Sequence, residues 1–207
     1  MKKRLQAIID WIEPHDRIID IGSDHLIIPN HLIDQGITSL AFASDINDGP
    51  LQSMKQSRQD RNIIILRSDG LKDVDHELDG AIIAGMGGRL IQRILEESLE
   101  RFKHMKYIIV QPMQQIEELR QYLQDHFTIT AERLVSEDGK IYHVIKLISG
   151  QDDYDVILTK GLAPKQELSQ YYAHQLQHWR RLLPRVSAER RSQIEQRIAR
   201  LERANML

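Results

Sequence analysis

Cysteine is absent from this 207-residue chain. Disulfides, thiolate metal sites and thiol nucleophiles are therefore excluded. No apolar run approaches the roughly 20 residues that a membrane-crossing helix needs. The opening residues Met1-Lys2-Lys3-Arg4-Leu5 are basic, but no signal-peptide core follows them. A cytoplasmic protein is expected. There is no 20–50-residue repeat and no low-complexity segment. The nine histidines show no metal-ligand spacing with acids on one helix face, so no metal is expected. What the chain does have is 41% hydrophobic and 28% charged residues. That suits one ordinary domain plus an appendage.

An excess of charge of either sign is also missing, since the net charge is −2. Its distribution says more. Residues 160–207 carry ten Lys and Arg against four Glu, a balance of +6. Residues 1–159 carry 18 against 26, a balance of −8. A basic tail on an acidic body suggests a polyanion-facing appendage. Taken alone, it is equally a solvated helical face.

Leu5, Ile8, Ile9 and Ile12 fall at helical spacing, predicting a helix over 4–12 that ends before Pro14. A β-branched run at 17–21 predicts a strand, broken by Gly22. Pro29 suits a helix start, and Gly36 ends that helix. Further strands are predicted at 40–43, 63–66, 81–84 and 107–110. Helices are predicted from Asn47 to about 59, over 89–100 and over 114–125. Strands at 128–134 and 142–148 flank Glu137-Asp138-Gly139-Lys140 and read as an antiparallel hairpin. Five β–α alternations followed by a hairpin predict a doubly wound α/β sheet with an antiparallel edge. After Pro164, Leu168, Tyr172, Leu176, Trp179 and Leu183 form one narrow helical seam. Pro184 interrupts it, and Ser187 can cap a second helix with Ile194, Ile198 and Leu201. An α-helical, coiled-coil-like hairpin is expected there. The predicted units are 1–155 and 156–207.

The first four strands end in small or acidic residues: Asp20 and Gly22, then Asp45, then Asp69 and Gly70, then Gly85 and Gly87. Parallel strands set these along one sheet edge, where α/β folds bind ligands. A dinucleotide wants Gly-x-Gly-x-x-Gly after the first strand, because pyrophosphate needs close backbone approach. Here a carboxylate, Asp24, stands where phosphate would sit, and no Walker lysine is present. The acidic rim instead suits S-adenosylmethionine, which is cationic and carries no phosphate. Asp45 stands where a ribose-binding carboxylate belongs, and Asp69 is placed to meet the adenine edge. Each acid alone is more often a cap or turn residue; the pattern across four strand ends carries the reading.

Asp20-Ile21-Gly22-Ser23-Asp24-His25, Asp48-Gly49-Pro50, Asp69-Gly70-Leu71, Ala84-Gly85-Met86-Gly87-Gly88, Gln111-Pro112 and Glu137-Asp138-Gly139-Lys140 with Tyr142 occur in this order. Together they resemble the bacterial tRNA (adenine-22 N1)-methyltransferases over nearly the whole chain. The resemblance implies a Rossmann-like class I methyltransferase domain with S-adenosylmethionine as donor. The acceptor it implies is N1 of a D-arm adenine in tRNA. Leu26 and Ile27 depart from the family's small-then-aromatic pair after the histidine. Met113 and His143 stand where acidic or polar residues are usual, and Asp45 where Glu is frequent.

On this reading the donor site comprises Asp20, Gly22, Ser23, Asp45, Ile46, Asp69, Gly70, Ala84, Gly85, Met86 and Gly87. Asp24 is the candidate for stabilising charge on the base or taking its proton, with His25 orienting it. Gln111 and Pro112 are candidates for base contact. Arg180, Arg181, Arg190 and Arg191 are candidates for gripping tRNA phosphates, with Lys2, Lys3 and Arg4 as outliers. Trp179, being on the seam, is expected to pack rather than stack a base. No membrane or obligate protein partner is implied. Two other readings stay open from the residues: a methyltransferase for a small molecule or protein whose hairpin dimerises, and a catalytically silent RNA-binding module.

Overall fold

The computed structural model describes residues 1–206. The chain runs α1 (Lys3–Ile9), β1 (Ile18–Ile21), α2 (Ile27–Asp34), β2 (Ala41–Asp45), α3 (Asp48–Arg58), β3 (Ile63–Arg67) and β4 (Gly80–Gly87). It continues with α4 (Gly88–Glu97), α5 (Leu99–Lys103), β5 (Tyr107–Gln114), α6 (Ile116–His126), β6 (Phe127–Glu137) and β7 (Lys140–Ser149). It ends with α7 (Lys165–Leu182), a 3₁₀ turn at Leu183–Arg185, and α8 (Ala188–Asn205). The strands form one seven-stranded sheet in the order β3-β2-β1-β4-β5-β7-β6. β1 to β5 are parallel, and β7 and β6 add antiparallel to β5 as a hairpin. The sheet is thus the Rossmann-like α/β sheet with an antiparallel edge that the sequence predicts.

The β-branched runs follow from burial on both faces, because successive strand side chains point opposite ways. Ile19, Ile83 and Ile108 join Ile91, Leu95, Phe102, Leu119 and Leu123 of α4, α5 and α6 on one face. Their neighbours Ile18, Ile82 and Ile109 join Ala7, Ile8, Ile28 and Leu32 of α1 and α2 on the other. Asp138 and Gly139 close the hairpin with φ of 51° and 72°. Two positive φ values twist a two-residue turn to match the flanking strands.

Several boundaries differ from the sequence expectation, four of them near the cavity or in the helix that follows β4. Helix α2 begins at Ile27, so Pro29 sits within its first turn rather than opening it; proline is still tolerated there, since those N–H groups lack helical partners. β4 and β5 run on through Gly87 and Gln114. Gly85 to Gly87 and Gln111-Pro112 are therefore irregular strand, with shifts in register between Ala84 and Met86 and between Met86 and Gly87. The long helix expected over 89–100 is broken at Ser98 into α4 and α5.

Helices α7 and α8 form the expected hairpin. Tyr171, Tyr172 and Leu176 pack on Ile194, Ile198 and Leu201, and the seam continues onto Leu134 of β6. Trp179 packs within this cluster, with the Arg197 guanidinium 4.4 Å above its ring. The hairpin is tied to the sheet domain. Glu167 accepts the Leu134 N–H at 2.9 Å, Arg197 pairs with Glu117 of α6, and Arg200 pairs with Asp155. Leu207 of the predicted second unit lies outside the described residues.

Beneath this joint Arg120 is ion-paired with Glu132, and His143 Nδ1 lies 3.1 Å from the same carboxylate. Arg120 and Glu132 are fully buried. Burial pushes the Glu132 carboxyl up, but Arg120 and His143 outweigh it and hold it below the usual carboxylate range. Removing one partner of such a pair leaves an uncompensated buried charge. Glu132→Ala should therefore cost about 3–5 kcal/mol in urea unfolding. The paired change Arg120→Met with Glu132→Leu should recover most of that loss.

Candidate functional site

The carboxyl ends of β1, β4 and β5 open onto a cavity of about 510 Å³. This is within the usual range of small-molecule clefts. Asp20, Gly22, Ser23 and Asp24 line it from the β1 turn, Ala84 and Gly85 from β4, and Gln111 from β5. The opposite wall is Met1, Lys2, Arg4 and Leu5 with Ile27 and Ile28 of α2. No aromatic side chain contributes to it.

The β1 turn is shaped by close packing. Gly22 has φ +71°, and a Cβ there would lie 2.0 Å from Met86 Cε. This left-handed conformation favours glycine, and a side chain here would also have to displace the end of Met86. The Gly22 and Ser23 N–H groups both donate to the Ser44 carbonyl of β2, at 2.7 and 3.2 Å. His25 and Leu26 follow with φ of 57° and 53°. Two consecutive left-handed non-glycine residues cost on the order of 1–2 kcal/mol each. The kink buries Leu26 among Ala41, Ala43 and Met54 while leaving Asp24 and His25 exposed. His25 is held by Ser53 of α3, whose Oγ is 2.7 Å from its Nδ1; its Nε2 is 3.4 Å from Asp24 Oδ1. Strain of this kind persists where surrounding structure enforces it, and it concentrates at functional sites.

Asp20 is the chemically unusual group. It is 8% exposed, and burial pushes its carboxyl up to about 7, with the nearby Ser23 hydroxyl pulling it part of the way back. No Lys, Arg or His among the described residues pairs with it. The buried Gln111 Oε1 closes no hydrogen bond, and the Ser23 hydroxyl has only Asp20 to act on. A buried carboxylate without a cation and a buried carbonyl oxygen without a partner call for a ligand that supplies positive charge and a donor. S-adenosylmethionine, with a sulfonium, an ammonium and ribose hydroxyls, fits that set of groups.

The remaining expected donor residues surround the cavity without lining it. Asp45 ends β2, and its Oδ1 accepts from the Asn47 N–H at 2.7 Å and from Asn47 Nδ2 at 3.1 Å. Ile46 beside it is half exposed. Asp69 is engaged by Arg93 at 2.9 and 3.2 Å and by Lys72 at 3.2 Å. The Arg93 hydrogen bond leads the effects that hold the Asp69 carboxyl below its ordinary value, despite partial burial. Its charge is thus already neutralised within the protein. Gly70 has φ +63° and packs on Ile94. Gly88, just past Gly87, would with a Cβ come within 2.4 Å of the Gln115 carbonyl, so the β4 and β5 turns lie against each other.

Pro112 is buried directly after Gln111. The four expected hairpin arginines lie outside the cavity. Arg180 pairs with Glu202; Arg181, Arg190 and Arg191 are exposed and make no ion pair among the described residues. What the sequence reading missed is the N-terminal wall. Lys2 and Arg4 were outliers in the basic pattern, and they reach the cavity because α1 is clasped to the β6–β7 hairpin. Arg4 pairs with Glu137 and lies over the Tyr142 ring, and Arg133 meets Asp10 at 2.8 Å. No group of three or more potential metal ligands occurs among the described residues. No helix among them is long and apolar enough to cross a membrane.

Comparison with known proteins places this geometry. A family model described as a methyltransferase domain matches residues 1–145. The tRNA (adenine(22)-N(1))-methyltransferase of Bacillus subtilis is 34% identical over 171 residues, covering 78% of this chain and 72% of its own. The crystal structure of the B. subtilis m1A22 tRNA methyltransferase TrmK superposes with a TM-score of 0.83 at 26% identity, covering 99% of this chain and 98% of that one. A Streptococcus pneumoniae protein solved in complex with S-adenosyl-L-methionine superposes with a TM-score of 0.87 at 28% identity, covering 99% of both chains.

Asp20 gives this site a pH signature. Its folded value lies above the ordinary carboxylate value, so the folded state holds this proton more tightly and stability falls as pH rises through about 7. Asp20→Asn should therefore be more stable than the parent. The advantage should grow by on the order of 2 kcal/mol between pH 5 and pH 8 and level off above that. Urea unfolding of both proteins across this range measures it.

Proposed function

The chain belongs to the tRNA (adenine(22)-N(1))-methyltransferases, and on that premise we propose how its own residues divide the transfer of a methyl group to N1 of adenine 22 in tRNA. The observation that carries the reading is the cavity at the ends of β1, β4 and β5. It holds a buried, unpaired Asp20 beside an exposed Asp24.

S-adenosylmethionine supplies the electrophilic methyl group on its sulfonium. Asp20 and Ser23 would hold its cationic end, since Asp20 ionises most readily next to positive charge. The Gly22 turn leaves room for close backbone approach. Asp45 and Ile46 would take the ribose side and Asp69 and Gly70 the adenine side, with Ala84, Gly85, Met86 and Gly87 forming the floor. With Asp69 already bound by Arg93 and Lys72, the polar backbone around Gly70 is the better adenine contact.

Adenine N1 carries an in-plane lone pair, so no base needs to deprotonate it first. The lone pair forms the new N–C bond, the S–C electron pair stays on sulfur, and the product base is cationic. The enzyme's contribution is then positioning, together with negative charge where positive charge develops. Asp24 suits this second role, and it is the acceptor for the N6 proton if the product is to become neutral. His25, held by Ser53, orients Asp24. N1 lies on the Watson–Crick edge, so the nucleotide must leave its stack to reach the cavity.

Residues 156–207 would then serve as the tRNA grip for the catalytic unit 1–155. Arg181, Arg190 and Arg191 are free for phosphates, whereas Arg180 would first have to leave Glu202. The reaction as written consumes only the donor and the base, and tRNA places it in the cytoplasm; neither a metal nor a protein partner enters it.

Incubation with unmodified tRNA and methyl-labelled donor should place label on N1 of adenine 22. Label on protein, or on no tRNA, would overturn the reading. Asp24→Ala should lower transfer by about 10²-fold or more, the scale of one lost electrostatic or acid–base contribution, with donor affinity unchanged. Loss of donor affinity in calorimetry would move Asp24 to the donor site. Arg190→Ala with Arg191→Ala should raise KM for tRNA several-fold and flatten its salt dependence, leaving donor binding intact.

A further inference from the structure

Gln111 is the least satisfied polar side chain on the acceptor side of the cavity. It is fully buried, at 0% exposure, at the point where β5 pairs with Ala84 of β4. Its amide is not free to turn. Nε2 donates to the Pro112 carbonyl at 3.0 Å and lies 3.6 Å from Met113 Sδ. A carbonyl only accepts, so the amide nitrogen must face it. This leaves Oε1 as the other end of the amide, buried and without a partner in a residue that lines the cavity. A buried carbonyl oxygen left unpaired costs roughly 1–3 kcal/mol, which a donor supplied by a ligand removes.

The surroundings narrow what that ligand group is. Ala84 and Gly85 lie alongside Gln111, and no atom lies within 4 Å of where a Gly85 Cβ would stand. Leu5, Ile27 and Ile28 supply aliphatic faces on the opposite side. With no aromatic ring in the wall, stacking contributes little selectivity. Recognition then falls to the polar groups at the edge of the base. The Watson–Crick edge of adenine carries the reactive N1 and, next to it, the N6 amino group with two hydrogens.

We propose that Gln111 is the base-reading residue of this enzyme, its locked Oε1 accepting one N6–H of the target adenine and thereby holding N1 in register with the methyl group. This rests on the methyl-transfer reading above. Asp24 remains free to take the second N6–H. A 6-oxo purine in the same pose would set two acceptors face to face, so the same atom that seats adenine disfavours the oxo bases. Sites that hydrogen-bond a particular donor reject analogues lacking it far more strongly than apolar pockets reject shape changes.

The test compares two tRNA substrates, one with adenosine at the target position and one with purine riboside, which keeps N1 but lacks the 6-amino group. Three enzymes are compared: the parent, Gln111→Met, which keeps the shape without the acceptor, and Gln111→Glu, whose carboxyl, protonated at this buried position, donates its O–H to the Pro112 carbonyl and keeps the other oxygen as acceptor. The parent should prefer adenosine in kcat/KM. Gln111→Met should shrink that preference by tenfold or more, mainly by losing activity on adenosine, while donor affinity by calorimetry stays within twofold. Gln111→Glu should keep the preference. The intrinsic difference in N1 reactivity between the two bases is common to all three enzymes and cancels in the comparison. An unchanged preference in Gln111→Met would overturn the assignment, as would a preference lost equally in Gln111→Glu. Failure of the parent to methylate the adenosine tRNA at all would instead sink the underlying reading.

Discussion

A carboxylate buried at the end of a central strand must be neutralised, and the site is arranged around the fact that the protein does not do this for Asp20. Elsewhere the chain pairs its buried or half-buried acids with care. Glu132 has Arg120, Asp69 has Arg93 and Lys72, Asp16 has Lys106, and Asp152 has Lys160. Asp20 alone among the fully buried carboxylates has only a serine hydroxyl beside it, and its proton affinity rises accordingly. A cationic ligand in the cavity would supply the missing positive charge. The turn after the acid is held against β2 by the Gly22 and Ser23 N–H groups, which both donate to the Ser44 carbonyl.

The wall of the cavity opposite the strand ends depends on elements distant in sequence. The N-terminal residues reach the cavity only because Arg4 is held by Glu137 and α1 packs on the antiparallel edge. That edge also carries the C-terminal helices, through Leu134 and the Glu167 hydrogen bond. One β-hairpin therefore positions both the wall of the cavity and the basic α7–α8 arm. Glu117 of α6 adds a second tie, since α6 follows directly from the Gln114-Gln115 turn that touches Gly88.

Much of this was legible along the chain. Alternating faces of the β-branched runs, glycine at turns, and the Asp138-Gly139 signal are local patterns, and a doubly wound sheet with an antiparallel edge followed from them by packing rules. The donor motif was legible too, because a carboxylate in place of phosphate-binding glycines is a local contradiction that only a different ligand resolves. Less legible were the helix starting before Pro29, which depends on Leu26 packing among Ala41, Ala43 and Met54, and the extension of β4 and β5, which depends on their pairing with each other. The pinning of Asp69 could not be read from residues 24 apart, and neither could the lining of the cavity by Lys2.

The sequence by itself determined the α/β alternation, the family and the donor, because these rest on short-range periodicity and on motifs whose residues adjoin. The tertiary structure decided which of those motif residues keep a free polar atom. Asp69 has its charge paired by Arg93, Arg180 is occupied by Glu202, and Gln111 has its amide fixed by Pro112 with one oxygen left unpaired. Availability of an atom for a ligand is a matter of what else lies within hydrogen-bonding reach, and that distance exists only once the chain has folded.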